Sequence, residues 1–512
     1  LNGLGDNKIP VCTTGINIPI KNNYIPMKKL FSLSLILLPF FIFSQKDFTA
    51  KAFEDYASYQ EKSLNTRRFK HADIQPLIEA LKKEPGFGVK KLGNSIEGRS
   101  ISMISLGSGK TTVLLWSQMH GDEPTATMAI FDLLNYFKSN KTLLDKINLH
   151  FIPMLNPDGA EQFNRRNAIG IDINRDAVRL QSPESRILKA VRDSLNADFG
   201  FNLHDQSKYY NAENTEKPAT ISLLAPAYNE EKSINEVRAN AMKIIVEIDR
   251  VVQQYAPGQT GRYDDEFEPR AFGDNIQKWG TSAILIESGG YQNDPEKQFI
   301  RKLNYVAILS ALQSIATESY RNIPVQDYEK IPKNDRKLFD LKITNLTFPY
   351  LNKNYTVDLG IVHNERANNK QTEFYYLGQL TEIGDLSNFY GYETLDAQGL
   401  QYKTGQTHPK IIKNTSELEK IDFTEFYQNG YTSVGMDSIP NNYKYSLFPV
   451  NIVDVSKMEI SKINSKPKNP LVLGRNPSFL LFKDNKVKYA VINGFVYDVA
   501  NKKNMIKNSV VE

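Results

Sequence analysis

Thr111-Thr-Val-Leu-Leu-Trp-Ser-Gln-Met-His120-Gly-Asp-Glu123-Pro124 is an apolar run that ends in a histidine and, three residues on, a glutamate. Its length and β-branched content predict a buried strand, and Pro124 suits the first position of a following helix. His120 and Glu123 then occupy a strand-to-helix turn at the carboxyl end of a strand, the edge at which open α/β sheets hold ligands. Imidazole and carboxylate are two of the ligand types that zinc accepts, so a third ligand is expected far along the chain. Taken alone, a His-x-x-Glu pair is equally an ordinary polar turn.

The 512 residues are enough for two or three domains, and 40% hydrophobic with 24% charged residues excludes a disordered or multi-span membrane chain. Cys12 is the only cysteine. An intramolecular disulfide is therefore impossible, and a thiolate zinc site or thiol nucleophile is not expected. Metal chemistry must draw on Asp, Glu and the six histidines: His71, His120, His150, His204, His363 and His408.

Met27-Lys28-Lys29, the apolar run 30–43 and Ser44-Gln45 have the basic start, apolar middle and small residue of a secretory signal peptide over 27–44. The apolar run is shorter than the roughly 20 residues a membrane span needs. Residues 1–26 read as translated upstream sequence. Without 1–44, which holds four lysines and one aspartate, the formal charge falls from +5 to +2. Such a chain gives no electrostatic case for nucleic acid. The mature protein is expected to be periplasmic or extracellular.

Downstream, strands alternate with helices. Helices are predicted at 73–83, 124–138, 230–255 and 295–320, and strands at 89–92, 101–106, 111–118, 148–155, 197–203, 221–225 and 282–286. This pattern predicts a mostly parallel sheet with helices on both faces. Three of the strands finish in His120, His204 and Glu287, so those side chains should converge on one sheet edge. A carboxylate ending the apolar run Ala283-Ile-Leu-Ile-Glu287 needs a metal, a cation or a catalytic task to offset its burial.

Seven short motifs share one order: Gly93 to Ile101, His120-Gly-Asp-Glu123, Asn156-Pro-Asp-Gly159, Arg165 to Asn167, Gly170 to Arg175, Leu203-His204 and Ile286-Glu287. Together they resemble the zinc carboxypeptidase family, the funnelins, over residues 50–322. The resemblance implies an α/β, mostly parallel mixed sheet and one zinc ion per chain held by His120, Glu123 and His204. It also implies Glu287 as general base, Arg165 as the oxyanion partner, with Arg166 the neighbouring alternative, and Asn174 with Arg175 as the clamp on a substrate's terminal carboxylate. The implied activity is removal of C-terminal residues from a peptide with a free C-terminus. The family's substrate-capping tyrosine has no clean counterpart. Tyr263, in Gly261-Arg-Tyr-Asp-Asp265, is the nearest, and Asp274 falls where the family's specificity pocket is read, although it is equally a turn cap.

The polar stretch 330–337 reads as a linker; beyond it the pattern changes to short alternating runs, and Asn493-Gly494 between two of them is a hairpin signal. Residues 327–512 read as a mainly-β accessory module, similar to the small β-domain that flanks amidohydrolase barrels but without that family's paired histidines. Two further functions fit the sequence: a same-fold amide hydrolase acting on cell-wall peptides or acyl-amino acids, and an inactive peptide- or glycan-binding protein. Retention of His120, Glu123, His204 and Glu287 argues against the inactive form.

Overall fold

The organising strand lies inside an eight-stranded sheet in a computed structural model, which describes residues 47–512 apart from 369, 441–442, 457–458 and 466–470. The predicted signal peptide and upstream segment lie outside the described residues. In chain order the strands are β1 (Phe87–Asn94), β2 (Ser100–Leu106), β3 (Thr111–Ser117), β4 (Ile147–Ile152) and β5 (Phe199–Asp205). They continue with β6 (Asn211–Ala212), which stands outside this sheet, then β7 (Ile221–Leu224), β8 (Thr260–Arg262) and β9 (Ser282–Ser288). The spatial order is β1-β2-β4-β3-β5-β9-β7-β8. The central pairs β4–β3, β3–β5 and β5–β9 are parallel, as is β7–β8, while β1–β2, β2–β4 and β9–β7 are antiparallel.

Helices cover both faces, which is why β3 reads as a continuous apolar run rather than an alternating one. On one face the helices Pro183–Leu195 and Phe272–Lys278 share a core with Leu114 and Trp116. On the other, the helices Thr125–Ser139, Glu236–Tyr255 and Gln298–Thr317 pack against one another and against β5 and β9.

Several boundaries differ from the sequence reading for identifiable reasons. The helix expected from 230 begins at Glu236, where the Asn235 side chain accepts from the Arg238 N–H. Pro295 lies outside the last helix, which starts at Gln298 under the Asp294 carboxylate; that carboxylate takes the N–H groups of Gln298, Phe299 and Ile300. The helix Pro183–Leu195 has no counterpart in the sequence reading, although Ser182-Pro183 is a cap followed by a first-turn proline.

The stretch read as a polar linker is packed. Tyr328 and Ile331 are buried, and Asn334–Asp335, β10, pairs antiparallel with β6. Residues 51–512 accordingly form one compact unit. The C-terminal part is mainly β, built on a nine-stranded sheet whose longest strands are Leu338–Tyr350, Lys353–Ala367 and Phe374–Gly384. The hairpin signal is realised: Asn493 (φ 51°) and Gly494 (φ 78°) join Lys486–Ile492 to Phe495–Asp498. Unforeseen is a small parallel sheet of Gln406–Ile412, Tyr431–Met436 and Asn451–Asp454, whose parallel connections bring in the helix Phe423–Gln428.

Candidate active site

The turn after β3 is pressed against the turn after β4. A Cβ on Gly121 would lie 2.0 Å from the Gly159 carbonyl carbon, so only glycine permits this approach. Asn156 fixes the contact from the other side, accepting from Gly159 N–H (2.9 Å) and donating to Met119 O (3.3 Å). His120 is thereby aimed inward and is 1% exposed.

Across the sheet β5 ends in His204, which stands in register with Glu287 on β9. Parallel neighbours in register carry their side chains to the same face, about 4.8 Å apart. His120 Nδ1 comes within 2.8 Å of Glu123 Oε1, His204 Nδ1 within 2.6 Å of Glu123 Oε2, and the two Nδ1 atoms lie 3.2 Å apart. Among the described residues this is the one group of three or more His, Cys, Asp or Glu that could hold a metal ion, its ligand atoms all within 4.8 Å of one another. Acceptor atoms that face one another in this way need either protons or a cation between them. Two imidazoles and a carboxylate suit zinc and leave a coordination position open, the mark of a catalytic rather than a structural site.

Neighbouring side chains orient these three. His120 Nε2 meets Asp172 Oδ1 at 3.2 Å, and Arg165 donates from Nε to Asp172 Oδ2 at 3.0 Å and from Nη1 to Glu123 Oε1 at 3.3 Å. Arg166 instead points to Gly170 O in an exposed turn. The Asp205 N–H reaches Glu123 Oε2 (3.3 Å), and its carboxylate takes Thr125 Oγ1 (2.5 Å) and Lys297 Nζ (3.1 Å).

The charges follow from these contacts. Burial pulls His120 down, but the Glu123 and Asp172 carboxylates outweigh it and hold the imidazole up at about 9. Burial lowers His204. It would raise Glu123, yet the two imidazoles keep that carboxyl well below its ordinary range. Glu287 is pushed well above the usual carboxylate range by burial and then by the negative Glu123. Burial, with Glu287 nearby, raises the Tyr263 phenol, whose ring lies 5.6 Å from that of Tyr210.

The other sequence-derived residues gather beyond Asp172. Asn174 Oδ1 accepts from Phe272 N–H at 2.9 Å, opening the helix that carries Asp274. The Arg175 side chain is 38% exposed, with Nε 3.3 Å from Glu268 Oε2. Asp274 is buried, accepts from the Glu268 N–H (3.0 Å), and is raised to about 6 by burial. Asp172 had no assigned role in the sequence. It is separated from His120 by 52 residues, and nothing local marks such a pairing.

Fold and cluster together define a mixed α/β protein with a group of two histidines and one glutamate that could hold a metal ion. Residues 74–214 match the family model described as zinc carboxypeptidase. The match contains His120, Glu123, Arg165, Asn174, Arg175 and His204 and stops before Tyr263, Asp274 and Glu287. An uncharacterised protein of Zymomonas mobilis is 27% identical over 137 residues, 25% of this chain and 36% of that protein. Carboxypeptidase 2 of Trichophyton tonsurans is 27% identical over 125 residues, 22% of this chain and 23% of the relative. The chain thus spans little more than a third, or less, of these relatives' length. A metallo-carboxypeptidase from Burkholderia cenocepacia, of known structure, superimposes with a TM-score of 0.40 at 18% identity, covering 49% of this chain and 70% of the other. No helix among the described residues is long and apolar enough to cross a membrane.

Proposed function

We propose that the chain is an exported zinc metallocarboxypeptidase that hydrolyses the last peptide bond of a substrate with a free C-terminus. The observation that carries this reading is the convergence of His120 Nδ1, Glu123 and His204 Nδ1 beside Glu287, the in-register neighbour of His204. One zinc ion held by these three residues would polarise the scissile carbonyl and lower the pKa of a water molecule. Glu287 takes the proton from the attacking water and returns it to the leaving amine. Arg165, already directed at the cluster, donates to the carbonyl oxygen as negative charge builds on it. Asp172 holds the His120 ring in place, and its bond to Arg165 Nε couples the two settings.

Asn174 and Arg175 take the terminal carboxylate, for which a planar guanidinium offers a two-bonded fork. Tyr263 would close over the bound residue, and Asp274 would read its side chain. A clamp at fixed distance from the metal leaves only the last peptide bond over it, so products should be single amino acids. Zinc content measured together with mass-spectrometric products from a peptide library tests the reading. Stoichiometric zinc with single-residue release supports it. Equal cleavage of free and amidated C-termini, or release of longer fragments, overturns it in favour of a same-fold amide hydrolase.

A further inference from the structure

The C-terminal β part forms one wall of a cavity that opens onto the metal-binding group. This cavity, of about 610 Å³, is lined on the catalytic side by Asp122, Glu123 and Asp205 and on the other by Asn364, Tyr376 and Phe495. It does not include Arg165, Asn174 or Arg175. Glu123 divides the two directions. Its Oε1 faces His120 and Arg165, on the clamp side, while Oε2 faces His204 and the Asp205 N–H, on the cavity side. A peptide whose terminal carboxylate is held at Arg175 and whose scissile bond lies over the cluster must continue into this space.

The far wall is fixed to the metal-bearing strand. Asp340 accepts from Lys208 Nζ (2.6 Å) and Tyr209 Oη (2.7 Å), both just beyond His204, and from the His363 N–H (2.6 Å). Tyr392 Oη donates to Lys208 O at 2.6 Å, and Arg67 donates to Glu365 at 2.6 Å. Phe495 is held face to face with His363, ring centroids 3.9 Å apart. The pairs Arg67–Glu365, Lys208–Asp340 and Lys297–Asp205 neutralise most of the lining charge, and Asp294 is engaged as a helix cap. Asp122 remains at the metal end and the exposed Lys507 at the outer end. The rest of the surface offers aromatic rings and amides.

We propose that this cavity is the binding site for the residues upstream of the scissile bond, that it takes uncharged, preferentially aromatic side chains, and that the β part is therefore a component of the substrate site. The proposal rests on the carboxypeptidase reading. Its test uses the zinc-loaded full chain carrying Glu287→Gln, with calorimetric affinities for acetyl-Ala-Leu and for the same dipeptide extended upstream by one and two phenylalanines. Each extension should tighten binding, about ten- to a hundredfold for the pair. Extension with aspartate or lysine should give little. Tyr376→Leu, which trims the wall, and Asn364→Trp, which fills the space, should each abolish the gain and leave acetyl-Ala-Leu affinity within about twofold. A flat length series, or a gain untouched in both variants, overturns the proposal while cleavage of acetyl-Ala-Leu by the unmodified enzyme keeps the carboxypeptidase reading. If the unmodified enzyme neither binds nor cleaves any of these peptides, both fall.

Discussion

Two groups of buried charge, one between helices that cover the sheet and one at the carboxyl ends of its strands, are built differently. Asp132 and Arg301, both 0% exposed, join the helices Thr125–Ser139 and Gln298–Thr317. Asp132 also receives Tyr56 Oη (3.0 Å) and the Glu61 N–H (2.7 Å), while Arg301 donates further to Leu64 O and Glu61 O. Every direction of both side chains finds a partner. In the His120–Glu123–His204 group the two imidazole Nδ1 atoms lie 3.2 Å apart beside one carboxylate, and buried His204 Nε2 has no hydrogen-bond partner. Buried charge by itself therefore marks nothing. A saturated pair is structural, whereas convergent acceptors without enough donors ask for a cation.

The sharpest way to break that contrast is at Glu287 and His204. Glu287→Gln should keep zinc and lose about 10²–10⁴-fold in turnover, whereas His204→Ala should lose zinc and turnover together. Zinc analysis beside a peptidase assay separates the two, and a fully active Glu287→Gln would remove the proposed base. Next in size, Arg301→Ala strands the Asp132 carboxylate and should cost about 3–5 kcal/mol in urea unfolding. His204→Ala, compared with the parent protein in chelator, should cost far less. Similar losses for the two variants would erase the distinction between the groups.

Asp172→Asn should lower zinc affinity about 10- to 100-fold, by weakening the orientation of His120 without removing a ligand. Competition with a chromogenic chelator measures it, and unchanged affinity would confine Asp172 to holding Arg165. The smallest effect belongs to Asp274, a buried carboxyl with neither a saturating cation nor convergent ligands. Burial raises it to about 6, so its neutral form favours folding. That contribution is complete below the unfolded value near 4 and is lost as pH rises through about 6. Asp274→Asn should leave stability near pH 3.5 almost unchanged and raise it at pH 8 by about 2–3 kcal/mol. Equal effects at both pH values would show that the carboxyl is not held neutral.

The sequence foretells the eight-stranded sheet and the His120–Glu123–His204 cluster well because their signals are local. His120, His204 and Glu287 each end an apolar run, and a parallel sheet must bring such ends to one edge. Asp172, Asp205 and Lys297 are not foreseen, because their partners lie 52 and 92 residues away; Asp172 also caps the Asn174 N–H, which marks a turn and not its bond to His120. The polar stretch 330–337 misleads for a related reason. Its side chains look like those of a free linker, yet β10 is fixed by backbone pairing to β6, which composition does not register. Within the β part, Asn493-Gly494 specifies its turn by conformational chemistry alone, whereas the crossover through Phe423–Gln428 depends on a parallel register that no short motif encodes.

The bonds from Lys208 and Tyr209 to Asp340 join positions 132 and 131 residues apart in the chain. On a ribosome the whole catalytic sheet is synthesised before Asp340, so the loop after His204 emerges without the acceptor that fixes it. The β part is thus made after this loop and supplies the acceptor that sets it. A nascent chain would carry the proposed metal ligands before the loop beyond them is fixed, so on the proposed reading that part of the peptide site is completed only once Asp340 has been made.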